Sequence, residues 1–278
     1  LMLGAFARAY AVLGDEAYRA AAEKNLAFIQ AKMWDATSKT LFHRWRDGAR
    51  DNVQLLEAYA FQLDGVLHLY EATLQPAHLD FAIALADAMI TRFHDVEHGG
   101  FWQTEDGATD LILRLKDDYD GAEPSGNSVA TLALLKLAAI TERADFRKSA
   151  EATLRLSAGK LEKAPQAVAF MLHALDFSLE EPSRVVVAGD PGLFRLDSGG
   201  EKKTTGGALE LLHAAHSVYQ PNKVVLGNRG AVEEFALSLP AKDGAVAYLC
   251  TGKACLPPTA KADVLRRAVE SRQIPGQE

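Results

Sequence analysis

The sequence predicts a mainly α-helical protein, an incomplete α/α toroid of helical hairpins followed by a small α/β unit. Three observations lead there. Apolar residues return at helical spacing over most of the first 180 positions. Pieces of this region repeat one another. From about position 183 the texture changes to short β-branched runs.

Helices are expected at about 1–13, 16–33, 51–73, 76–93, 125–141, 143–157 and 164–179, all rich in Ala and Leu. LMLGAFARAYAVLG opens in mid-period with no capping residue before it, so a piece of a longer protein is expected. Asp15 offers an N-cap, Pro76 a first-turn start, and Ser125 or Asn127 a cap for the fifth segment. A shift of 60 positions lays Tyr10 on Tyr70, Met33 on Phe93, Asp35 on Asp95, Leu41 on Phe101 and Phe42 on Trp102. A shift of 128 lays Tyr18 on Phe146, Arg19 on Arg147, Ala22 on Ala150, Glu23 on Glu151 and Leu26 on Leu154. The unit is therefore a hairpin with a short internal link and a long loop to the next one. Repeated hairpins must stack to bury their apolar faces.

The long loops LFHRWRDGARDN and GGFWQTEDGATDLILRLKDDYDGAEPSGN both follow the second helix of a hairpin. They should therefore gather at one end of the array. A ring with these loops around its mouth is preferred over an extended superhelix. Helices 1–13, 51–73 and 125–141 are expected inside, and 16–33, 76–93 and 143–157 outside.

Beyond the helices, RVVVAGD, NKVVLGN and AVAYLCTG read as strands, with LELLHAAHSVY helical between the first two and VEEFALSLP after the second. Parallel pairing with right-handed crossovers is expected. LDSGGEKKTTGGA, residues 196–208, reads as a surface loop. The expected division is a toroid portion over 1–180 and an α/β unit over 181–278.

Composition limits the function classes. A net charge of −7 argues against nucleic acid or an anionic membrane as partner. No apolar run reaches the roughly 18 residues of a membrane span. Two cysteines in 278 residues do not make a disulfide framework, and a cytoplasmic, reducing compartment is expected.

The chemistry concentrates in DDYDGAEPSGNSVA, residues 117–130, where Asp117, Asp118, Asp120 and Glu123 fall within seven positions. Crowded carboxylates repel, so a buried one would have a raised pKa and serve as general acid while a neighbour stays ionised. Glu123 is the expected acid and Asp118 the base, with Tyr119, Asp120 and Asn127 bonding substrate hydroxyls. The competing interpretation makes Ser125 or Asn127 a helix cap, places Glu123 near the positive helix end, and leaves the other acids merely solvated.

Aromatic loop residues form a second group: Trp34, Trp45, Phe101 and Trp102, with His43, Arg44 and Arg46 nearby. Aromatic faces suit the apolar faces of sugar rings. Trp34 and Phe101 are expected to plug gaps between hairpins, while Trp45, Trp102 and His43 are candidate substrate contacts. His94 and His98 lack zincin order, and His68 and His173 read as core residues, so no metal site is expected. No cofactor is expected either, since VVVAGDPGLF lacks the spaced glycines of a nucleotide-binding turn. Cys250 and Cys255 form a C-x4-C pair read as two reduced thiols, with a redox-responsive pair as the alternative.

DDYDGAEPSGNSVATLALLKLAA closely resembles the thioredoxin-domain-containing proteins whose animal members are called spermatogenesis-associated. EAYAFQLDGVLHLYEAT, HGGFWQT, PQAVAFMLHALDF, PNKVVLG and AYLCTGKACLPP fit as well. The resemblance implies a thioredoxin-like domain upstream and a toroid of the N-acylglucosamine 2-epimerase and six-hairpin glycosidase type. It raises the functional interpretation of 117–128, because related toroids bind sugars at the corresponding mouth. Where that family commonly has D-Y-A-F, this chain has Glu57-Ala58-Tyr59-Ala60-Phe61, which adds Tyr59 to the candidate contacts. The expected function is carbohydrate binding or turnover, isomerase- or glycosidase-like. The alternative is a non-catalytic scaffold serving a thioredoxin-like redox domain.

Overall fold

The structure is a computed structural model describing residues 1–106, 113–189, 206–241 and 244–272. Seven helices come first: α1 (Met2–Leu13), α2 (Glu16–Lys32), α3 (Leu56–Thr73), α4 (Pro76–Phe93), α5 (Gly126–Thr141), α6 (Ala144–Lys163) and α7 (Ala169–Leu179). Helices α1, α3, α5 and α7 pack side by side as an inner row, while α2, α4 and α6 each pack on their own hairpin partner. This is the incomplete α/α toroid. The layering follows from the sequence. Helix α5 is apolar almost all round and buries Val129, Ala133, Leu134 and Leu137 among others, whereas α6 buries one stripe of Phe146, Ser149, Ala150, Thr153 and Leu154.

The 60-residue repeat has a physical basis in the hairpin turns. Helices α1 and α3 end in the left-handed residues Gly14 and Leu74, whose N–H groups donate to the carbonyls of Tyr10 and Tyr70. Asp15 then caps α2 through Ala17 N–H, and Pro76 opens α4. Where α1 crosses α3, a Cβ on Gly65 would lie 3.0 Å from Leu3 Cδ2, so the glycine sets the helix spacing.

Two short hairpins, β1 (Trp34–Asp35) with β2 (Thr40–Leu41) and β3 (Trp45–Arg46) with β4 (Ala49–Arg50), fill the first long loop. The first and second long loops share one face. Leu55 bridges Thr104, and Arg92 joins Ser38 and Thr40 of one loop to Glu105 of the other. Helix α3 starts at Leu56, later than expected, because Leu56 N–H donates to Gln103 O rather than to its own chain segment.

The C-terminal part holds β5 (Ser183–Ala188), α8 (Gly206–His216), β6 (Lys223–Gly227), α9 (Glu234–Ser238), β7 (Val246–Thr251), β8 (Ala254–Cys255) and α10 (Ala262–Glu270). The strand order is β6-β5-β7-β8. Strands β5 and β6 are parallel around α8, as expected, but β7 runs antiparallel to β5. The reason is length: five-residue α9 spans roughly 7 Å, too short to return the chain along a strand of roughly 20 Å. Most of the expected loop at 196–208 lies outside the described residues.

Side chains alternate across this sheet. Val186, Ala188, Val224, Leu226, Tyr248 and Cys250 join the core of the helical row, while Val185, Val187, Val225, Ala247 and Leu249 pack under α8 and α10. Strand β6 lies at the edge, and α3 closes it. Glu71 Oε1 accepts Val225 N–H at 3.1 Å, and Tyr70 OH accepts Gly227 N–H at 3.3 Å.

Glu71 is a buried carboxylate. Burial pushes it up, but Lys136, His68 and His216 outweigh that and hold it at about 2, below the ordinary 4.5. His216, bonded to Glu71 O, is pushed down by burial from 6.5 to about 4, and His78 falls likewise to about 4. All three folded-state values lie below the unfolded ones, so their contributions are complete above the unfolded pKa and lost on acidification. Stability is expected to fall from pH 6.5 to 4 as the histidines charge, and further between 4.5 and 2 as Glu71 protonates. Calorimetric melts across this range check it; a flat profile between pH 7 and 4 would contradict it.

Candidate functional site

The loop ahead of α5 meets three helix ends. Ser125 caps α5, its Oγ accepting Ser128 N–H at 3.2 Å. Asp120 Oδ1 accepts Ser125 N–H at 2.9 Å, and its Oδ2 accepts the N–H groups of Phe170 at 2.8 Å and Met171 at 3.1 Å. This carboxylate therefore satisfies the first turn of α7, which has no capping side chain of its own. Asn127 is buried with three bonds: its Oδ1 accepts Phe101 N–H, and its Nδ2 donates to Phe101 O and Asp117 O. Asp120 and Asn127, expected on substrate, are structural ties in this chain.

The other acids face outward. Asp118 is exposed and paired with Lys160 of α6 at 2.7 Å. Glu123 is exposed, so the burial that its expected role as general acid requires is not there. The segment at 121–125 turns outward because Asp120 grips Ser125 and Gly121 N–H donates to Glu123 O, leaving the Glu123 side chain on the solvent side. Tyr119 lies beside them, 61% exposed. A Cβ on Gly121 would lie 3.0 Å from Tyr119 Cε1, so the glycine leaves room for the ring over the loop. An exposed aromatic ring results, on a loop that also carries the exposed Asp118 and Glu123, with Lys160 paired to Asp118.

The remaining candidates are dispersed. Trp102 is half-buried with Lys116 and Arg114 at 4.5 and 5.0 Å from its ring centre, and Lys116 is anchored on Asp95 at 2.8 Å. Trp45 stands under Lys32 on the β3–β4 hairpin, and His43 is exposed in the same loop. Tyr59 is fully buried; its OH accepts Leu41 N–H at 2.7 Å and its ring meets Phe93 edge-on, so it holds the first long loop rather than a ligand. Phe101 is buried as expected, and Trp34 packs edge-on against Phe81.

Sequence reasoning passed over one cluster. His68, read as an apolar-face residue, lies 3.5 Å from Asp64 and 3.7 Å from Glu71, with Lys136 of α5 3.9 Å from Glu71. The D-x3-H-x2-E spacing, which lines one helix face, was the available signal. Among the described residues, no group of three or more His, Cys, Asp or Glu could hold a metal ion. No described helix is long and apolar enough to cross a membrane. A cavity of about 420 Å³ lies elsewhere, lined by Ser38, Lys39, Asp87, Thr91, Arg92 and Glu105.

Comparison with known proteins adds the lineage. Spermatogenesis-associated protein 20 of Rattus norvegicus is 33% identical over 284 residues, covering 96% of this chain and 34% of its own length. The Homo sapiens protein of that name is 32% identical over the same share of this chain and 35% of its own. The chain is a homologue of spermatogenesis-associated protein 20. It spans about a third of the length of these curated relatives. No family model matches. A solved cellobiose 2-epimerase from Spirochaeta thermophila aligns with a TM-score of 0.47 and 25% identity, over 59% of this chain and 42% of its own.

Proposed function

We propose that the homologue binds carbohydrate at the outward side of the 117–124 loop. Tyr119 stacks on a sugar ring, Asp118 with Lys160 holds hydroxyls, and Glu123 is the carboxyl free for acid–base work. Tyr119 carries this reading: a ring 61% exposed, supported from behind by Gly121, on a loop whose exposed Asp118 and Glu123 are of the type that pairs with hydroxyls. An apolar core has no use for so exposed a ring. Isomerase- or glycosidase-like turnover is the enzymatic form of the proposal, with the exposed carboxylates of Glu123 and Asp118 as bases; the acid role expected of Glu123 needs a burial that it does not have.

Tyr119→Ala is expected to weaken binding of glucose, N-acetylglucosamine or their disaccharides two- to ten-fold, corresponding to about 0.5–1.5 kcal/mol for an aromatic face. Its melting temperature should stay that of the parent, because the ring is on the surface. Calorimetric titration of both proteins decides it. Equal affinities, or no binding of any of these sugars by the parent, would overturn the reading in favour of a scaffold.

A further inference from the structure

The Cys250–Cys255 pair lies at the β8 edge of the sheet, opposite the β6 edge. Reduced thiols were expected at Cys250 and Cys255; the structure instead joins them in a disulfide, with Cα atoms 4.0 Å apart. The cause is local. Gly252 adopts φ 56 in the turn between β7 and β8, which folds the chain back and sets Cys250 opposite Cys255. These are the only cysteines in the chain.

The two sulfurs stand in different surroundings. Cys255 belongs to the two-residue outer strand β8 and is half-buried, whereas Cys250 is 1% exposed in the core. Cys250 is the register partner of Arg184 on β5, so their side chains lie on one face of the sheet. The Arg184 guanidinium bonds Glu233 through Nη1 and Gly252 O through Nη2, which ties it to the hairpin turn. Its Nε is buried with no hydrogen-bond partner among the described residues. A buried donor without an acceptor is costly, and Cys250 is the side chain directly across the ladder from it.

We infer that the Cys250–Cys255 bond is a thiol–disulfide exchange site, opened by an external dithiol that attacks Cys255 and expels Cys250 beside Arg184. A thiolate of the dithiol attacks Cys255 Sγ, forming a mixed disulfide and breaking the Cys250–Cys255 bond. Cys250 leaves as a thiolate facing the arginine and then takes a proton. The second thiol of the dithiol, deprotonated, attacks its own sulfur in the mixed disulfide and releases Cys255. The pair gains two electrons and two protons, and the dithiol becomes a disulfide. Arg184 stays bound to Gly252 O and Glu233 throughout, so the hairpin keeps its place after the bond opens.

Dithiothreitol is the probe. Native protein treated with it and then with iodoacetamide should gain two carbamidomethyl groups by intact mass while its far-UV circular dichroism stays unchanged. Oxidised dithiothreitol should restore the disulfide when alkylation is omitted. A bond that resists dithiothreitol until denaturant is added, or one whose reduction unfolds the chain, would mark the disulfide as structural and overturn the proposal. The attacked sulfur is tested separately with single-cysteine proteins. Cys250→Ser, which leaves Cys255, should react with Ellman's reagent faster than Cys255→Ser. The reverse order, with both variants showing the parent's circular dichroism, would overturn the assignment of Cys255 as the entry point.

Discussion

Arg184→Met is expected to destabilise the protein by about 3–5 kcal/mol. The mutation strands Glu233, whose side chain is fully buried and whose Oε1 lies 2.8 Å from Arg184 Nη1. A lone carboxylate in that position loses its counter-charge and must either protonate or draw in water. Glu233 also caps α9 through Phe235 N–H, so its displacement loosens the link from β6 to β7. For a chain of this size the loss corresponds to roughly ten degrees of melting temperature. Replacing both partners, Arg184→Met with Glu233→Leu, removes the unpaired charge and should recover most of the loss. Thermal melts of the two variants provide the check. A single variant within a degree of the parent would show that the pair is not buried as described.

Asn127→Ala carries the second large effect and separates two roles for the same side chain. The substitution leaves Phe101 N–H and the carbonyls of Phe101 and Asp117 without their partner, two of these groups on a buried residue. Stranded buried polar groups cost about 1–3 kcal/mol each, so a loss of about 3 kcal/mol is expected in denaturant titration. Sugar affinity of the folded fraction should be unchanged. A substrate contact would behave the opposite way, with affinity lost and stability kept.

Much of the fold was legible in the sequence because its causes are local. Tyr10 and Tyr70 coincide in the repeat since both carbonyls receive the hairpin cap, and Asp15, Pro76 and Ser125 announce helix starts by their own chemistry. The direction of β7 was not legible. It depends on how far α9 continues, and VEEFALSLP has the composition of a longer helix than the five residues formed. Helix α10 went unread: ADVLRRAVE puts only Leu265 and Val269 in the core, a stripe too narrow to stand out from a charged tail.

The site divides along a similar line. Ser125 was readable as a cap, but Asp120 serves a helix 50 positions away, and no local pattern announces a tertiary cap. Asn127 in a loop resembles a ligand contact by type, while its three partners are set by how two loops meet. Glu123 differs because its burial required a wall that the loop, turned outward by Asp120, does not meet. Cys250 and Cys255 turned on a single glycine, whose turn the spacing permitted without requiring.

Backbone amide shifts on titration with a disaccharide test most directly whether Tyr119 marks the binding surface. Binding at the outward loop should move the amides of Asp118, Tyr119, Gly121, Glu123 and Lys160, and leave those of Asn127 and Tyr59 nearly still. Shifts gathered instead at Ser38, Asp87 and Thr91, around the cavity on α4, or no shifts with any sugar of the panel, would contradict it.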